Sequence, residues 1–198
     1  MAKNKFADAF IEMLKTKTSE TNLWPTDNIL LERLTERPLY REEKNKTRSI
    51  SNILLEIEHA IRGDKQERIK ILNEALTIEH ILPQKWFEFW ALDGQPISEE
   101  DFDISVHAVM TEEDKNGIYH KIEARNSKLH TIGNLTVLTN SLNPSVSNAS
   151  FEDKKHEIVR QSTVLLNAYF QDKSVWNEEE IVNRTEFLYD KIKIIWSI

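Results

Sequence analysis

Ile78-Glu79-His80-Ile81-Leu82-Pro83-Gln84 sets a carboxylate and an imidazole side by side in an apolar run that proline stops. Thr77, Ile78 and Ile81 are β-branched, so Leu76 to Leu82 is compatible with a strand. Along a regular strand successive side chains point to opposite faces, and Glu79 and His80 would diverge. Pro83 removes a ladder donor and biases the residue before it away from helix. The reading is therefore that the strand ends here and that the two polar groups converge on one site. The chain carries its own control in Glu58-His59, the same dipeptide inside a helix-periodic run with no proline after it. That copy reads as a solvated helix face.

Composition bounds the rest. A chain of 198 residues suits one domain with a good core, or one domain wrapped in helical additions. A hydrophobic content of 39%, a charged content of 30%, four glycines and five prolines describe an ordinary folded protein. The absence of cysteine excludes disulfides, thiolate metal sites and cysteine nucleophiles together. No apolar run is long enough to span a bilayer and no signal leader is recognisable, so a cytoplasmic protein with no membrane contact is the expectation. The net charge of -7 counts against indiscriminate nucleic-acid binding, although Arg37, Arg41, Lys44, Lys46 and Arg48 form one local basic cluster and Lys154, Lys155 and Arg160 another.

Helical periodicity dominates the flanks. Phe6, Phe10 and Leu14 predict a helix over residues 4 to 16. Thr26 or Asp27 caps a second helix that Pro38 closes, and a third runs from Ser49 to Arg62 with Gly63 as its C-cap. Acidic residues 99 to 103 read as an exposed loop, and Thr111 with Asp114 as the start of a helix to Arg125. Trp86, Phe87, Phe89 and Trp90 are dense enough to be core or a docking face. Ser150 with Asp153 marks a capping box for a helix from Phe151, residues 163 to 172 read as continuing helix, and Asn177 with Glu180 caps the last one.

The second decisive stretch is Gly133-Asn134-Leu135-Thr136-Val137-Leu138-Thr139. Gly133 supplies a tight turn and Leu135 to Thr139 is the best strand in the chain by residue type. Thr139, Asn140 and Ser141 offer a helix N-cap after it. Glu-His-Ile-Leu-Pro-Gln followed by this strand and by Asn143 resembles the HNH nucleases, the ββα-metal or His-Me finger superfamily. More narrowly, Thr77 to Gln84, Ile132 to Thr139, Asn148 to Lys154, Trp176 and Trp196 resemble the C-terminal nuclease half of GmrSD-type modification-dependent restriction enzymes.

The resemblance implies a mainly α (α+β) fold, a small ββα-metal HNH core wrapped by N- and C-terminal helices. Residues 1–75 would be a helical region packing on the core. Residues 76–162 would be the core with an excursion at 85–130, and 163–198 the closing helices, all in one compact domain. It further implies that His80 is the general base, that Glu79 and Asn143 hold one divalent ion, Mg²⁺ or Mn²⁺, and that Asn134 helps orient the imidazole. Asn140 and Asn148 stand close enough in sequence to compete with Asn143 as the ligand. Lys154, Lys155 and His130 are candidates for touching substrate. DNA would be the substrate, with RNA open, and an N-terminal nucleotide-hydrolysing sensor half the expected partner. The competing readings are a non-catalytic nucleic-acid-binding or regulatory module, and a helical protein-interaction domain.

Overall fold

The computed structural model describes residues 2–16, 24–40, 44–63, 76–107, 117–142 and 149–196. The chain is mostly helical, and the residue types that favour a pleated surface are gathered in one strand pair. Its elements are α1 (Ala2–Lys15), α2 (Asp27–Glu36), α3 (Lys44–Arg62), β1 (Leu76–His80), α4 (Glu99–His107), α5 (Ile118–Lys128), β2 (Leu135–Thr139), α6 (Phe151–Gln161) and α7 (Glu178–Trp196). Short 3₁₀ turns occupy Trp86–Glu88, Ile132–Asn134 and Leu165–Phe170. Contacts divide the chain into two units, Met1–Arg33 and Leu34–Ile198, and the candidate site lies wholly in the larger.

β1 and β2 pair antiparallel with Ile78 opposite Val137, Glu79 opposite Thr136 and His80 opposite Leu135. α3 lies against both strands, against the turn at 165–170 and against α7. α7 in turn packs on the 3₁₀ turn that leads into β2. That approach explains Gly133, where a Cβ would collide with the Ile181 carbonyl oxygen and Thr185 Oγ1 of α7. The core beneath the strands is built from Ile81, Leu82, Trp86, Ile122, Leu138, Phe170, Trp176 and Ile181. Each large apolar side chain buried in this way contributes about 1.5–3 kcal/mol relative to exposure.

Several expectations are corrected here. Residues 99–103 are the start of α4, not a loop. Ser98 Oγ caps the helix by accepting from the Asp101 amide and donates to the Asp101 carboxylate, while Glu99, Glu100 and Asp101 sit where a helix dipole favours acids. The segment after α6 does not continue as α-helix. Ser162 turns the backbone to extended and the chain resumes as a 3₁₀ turn at Leu165. The reason is Glu58, whose carboxylate accepts from the amides of Leu165 and Leu166 at 3.0 and 2.7 Å and from Arg62 Nε at 2.6 Å. Glu58 is thus buried, not solvated as its helical setting implied, although His59 is exposed.

Three further expectations concern caps and loops. The cap at Ser150 is present, its Oγ accepting from the Asp153 amide, and so is the cap at Asn177. Thr139 to Leu142 closes as a turn with Asn140 exposed, so the helix does not begin at Asn140 or Ser141. The capping box expected at Thr111 and Asp114 lies outside the described residues, and α5 begins at Ile118.

Candidate functional site

β1 keeps its register through His80, its last residue, so the strand ends where the residues suggested. Glu79 and His80 take different side-chain partners, with Lys154 of α6 close to both residues. Glu79 meets α6, while His80 meets the turn after α5 and the segment after α2.

On the Glu79 side, Phe151, Lys154 and Ile158 form the buried stripe of α6 at spacings of one helical turn. Lys154 is 0% exposed. Its ammonium donates to Glu79 Oε1 at 2.6 Å and to the main-chain oxygen of His80 at 2.7 Å. Burial pushes the Glu79 carboxyl up and the Lys154 ammonium down, and the attraction between them opposes both shifts. Lys154, a candidate for touching substrate, therefore spends its charge inside the protein. Lys155 donates to the carbonyl of Lys173 and lies over the Phe151 ring, so its partners are on the α6 flank rather than at Glu79 or His80.

On the other side, His80 Nε2 lies 3.0 Å from His130 Nδ1, with the rings nearly perpendicular. Tyr40 stacks on His130 and presents its ring at right angles to His80, with centroids 4.6 Å apart. The His130 carbonyl accepts from the amides of Leu39 and Tyr40, which seats that segment. Burial, then the neighbouring His130, then Lys154 push the His80 imidazole down to about 3. The ring is neutral at physiological pH and retains a lone pair. Tyr40 escaped the sequence reading because an isolated aromatic after Pro38 carries no spacing signal.

Asn134 does not touch the imidazole. Its Oδ1 accepts from the Leu82 amide at 2.8 Å and from Trp176 Nε1 at 3.1 Å. Its Nδ2 donates to the carbonyls of Leu82 and Leu129, each at 2.9 Å. One buried amide thereby ties the chain just after His80 to the chain just before His130. Arg184 of α7 reinforces the same turn by donating through Nη1 to the carbonyls of Gly133 and Leu135.

Asn143 and Asn148 lie outside the described residues. Among the described residues no group of three or more His, Cys, Asp or Glu stands together as a metal site. Glu79 commits Oε1 to Lys154, which leaves Oε2 as the oxygen able to face an ion. One carboxylate oxygen fits a hard ion that keeps most of its water, the habit of Mg²⁺, and offers zinc no thiolate or imidazole cluster.

The antiparallel strand pair is followed in the chain by α6, whose Lys154 reaches Glu79 of the first strand. The chain belongs to the family of the GmrSD restriction endonucleases, C-terminal domain, whose profile matches residues 24–191. The match takes in both strands, α6 and most of α7. Comparison with curated proteins and with solved structures gave no match. Among the described residues no helix is long and apolar enough to cross a membrane.

Proposed function

We propose that this chain is a metal-dependent HNH endonuclease that hydrolyses DNA phosphodiester bonds. Its task would be to serve as the nuclease part of a modification-dependent restriction system acting against foreign DNA. The observation that carries the reading is His80, buried at the end of β1 and held 3.0 Å from His130, in a chain of a restriction-endonuclease family. Imidazole is the side chain most often used to take a proton from water in hydrolysis. Hydroxide formed beside it attacks phosphorus, and the products carry 5′-phosphate and 3′-hydroxyl ends.

Glu79 and Asn143 would hold one Mg²⁺ or Mn²⁺. When bound, the ion supplies positive charge against that developing on the scissile phosphate and the leaving 3′-oxygen. Lys154 holds Glu79 in place, and Asn134 acts through the Leu82 and Leu129 backbone. A nucleotide-hydrolysing sensor is the natural partner, because a chain of charge -7 has little unaided hold on DNA. The cytoplasm, where incoming DNA arrives, is the proposed compartment.

Supercoiled-plasmid cleavage at low salt with Mg²⁺, Mn²⁺ or EDTA tests this, comparing wild type with His80→Ala and Asn143→Ala. Nicking that requires the metal and is lost in both variants is expected. A folded His80→Ala protein that cleaves at the wild-type rate would overturn the assignment.

A further inference from the structure

The pairing of His80 with His130 has a chemical consequence that the nuclease reading leaves open, namely which nitrogen of His80 does the work. A neutral imidazole has one ring N–H and one lone pair, and the hydrogen bond made at one nitrogen decides the role of the other. At 3.0 Å, His80 Nε2 and His130 Nδ1 share one proton between two nitrogens, so one ring donates and the other accepts.

If His130 donated, the proton of His80 would sit on Nδ1 and the ring would have no lone pair for water. If His80 donates, Nδ1 is left open as a base. Nε2 of His80 is the nitrogen engaged with His130. We propose that His130 is a positioning residue that accepts from His80 Nε2–H and so holds His80 in the tautomer whose Nδ1 takes the proton from water.

The surroundings are built to keep the pair in register. Asn134 bridges Leu82 and Leu129, the near neighbours of the two histidines, with hydrogen bonds of 2.8 and 2.9 Å. Tyr40 stacks on one ring and meets the other edge-on, and its own amide is fixed to the His130 carbonyl. These contacts set the planes of both imidazoles. In the reaction a water proton moves to Nδ1, the hydroxide oxygen bonds to phosphorus, and the bond from phosphorus to O3′ breaks. The leaving oxygen takes a proton from solvent and the imidazolium returns its proton to solvent. While His80 is protonated it donates from both nitrogens, and His130 Nδ1 accepts one of those bonds in charge-assisted form.

This inference rests on the nuclease reading for its reaction but not for its decisive test. Nitrogen-15 and proton correlation spectra of histidine-labelled protein report which ring nitrogen carries the proton. Wild type is expected to show His80 protonated at Nε2 alone, and His130→Ala to show mixed tautomers. Kinetically, His130→Ala is expected to lower kcat by on the order of 100-fold with little change in KM, as for other partners that orient a working histidine. His130→Asn, whose Oδ1 replaces Nδ1 as acceptor, should recover most of that loss. A wild-type His80 protonated at Nδ1 would overturn the proposal. So would a His130→Ala variant whose defect lies in KM and salt dependence, the signature of a phosphate contact. If wild type failed to cleave DNA, the nuclease reading would fall while the tautomer still decided the role of His130.

Discussion

Lys154 Nζ stands 2.6 Å from Glu79 Oε1 and 2.7 Å from the main-chain oxygen of His80, so one buried cation from α6 grips both residues of the Glu-His pair. Breaking a buried ion pair by removing one member costs about 3–5 kcal/mol, chiefly because the other charge is left uncompensated. Lys154→Met is therefore expected to lower stability by that order in urea titrations. Adding Glu79→Gln should return much of the stability, because the orphaned charge is removed, while cleavage stays lost. If the double variant were as unstable as the sum of the single ones, the two side chains would not be coupled.

The pH dependence follows from His80. Its folded-state pKa of about 3 lies below the ordinary 6.5, so between those values the unfolded chain binds a proton that the native one excludes. The contribution is fully present above pH 6.5 and is lost as pH falls toward 3. At pH 4.5 the loss amounts to about 2–3 kcal/mol. Urea stability at pH 7 and pH 4.5 should differ by less in His80→Gln than in wild type, by about this amount. The ring resonances of wild-type His80 should stay flat from pH 7 down to 5, and a midpoint near 6.5 would contradict the burial argument.

Gly133 predicts a purely packing defect. A methyl group there meets the backbone of Ile181 and the Thr185 hydroxyl, neither of which is the free end of a flexible side chain. α7 must lift away from the turn before β2, and overpacking of this kind costs about 1–3 kcal/mol or more. Gly133→Ala should lower Tm, and Thr185→Ala should relieve only part of the loss because the Ile181 carbonyl remains. A Gly133→Ala protein as stable as wild type would mean that α7 does not sit this close.

Much of the site's frame was readable in the residues. β-branched and apolar runs located β1 and β2, the Ser150 and Asp153 box located α6, periodicity located the flanking helices, and the mainly helical fold was what the family resemblance implied. What escaped were the partners of polar groups. Lys154 and Glu58 have side chains that belong on surfaces by type, and each is internal because a distant element supplies its counterpart, 75 and 107 residues away along the chain. Spacing cannot report such pairs. The strand end at His80 was readable, whereas the separate partners of Glu79 and His80, Lys154 and His130, were not.

The two Glu-His dipeptides make the sharpest comparison. Glu58 accepts from Arg62 and from the amides of Leu165 and Leu166, a wholly structural set, and its neighbour His59 is exposed. Glu79 accepts from Lys154 beside the buried His80. Glu58→Gln keeps one acceptor oxygen but exchanges the other for a donor facing groups that also donate, and it removes the charge opposite Arg62. A loss of about 1–3 kcal/mol is expected, with kcat unchanged in protein that remains folded. Glu79→Gln removes a charge of the same chemistry beside the histidine. It should abolish most cleavage at temperatures where circular dichroism shows the fold intact, and it should weaken Mn²⁺ binding by calorimetry. Equal effects of the two substitutions on kcat would mean that Glu79 is no more than a second Glu58.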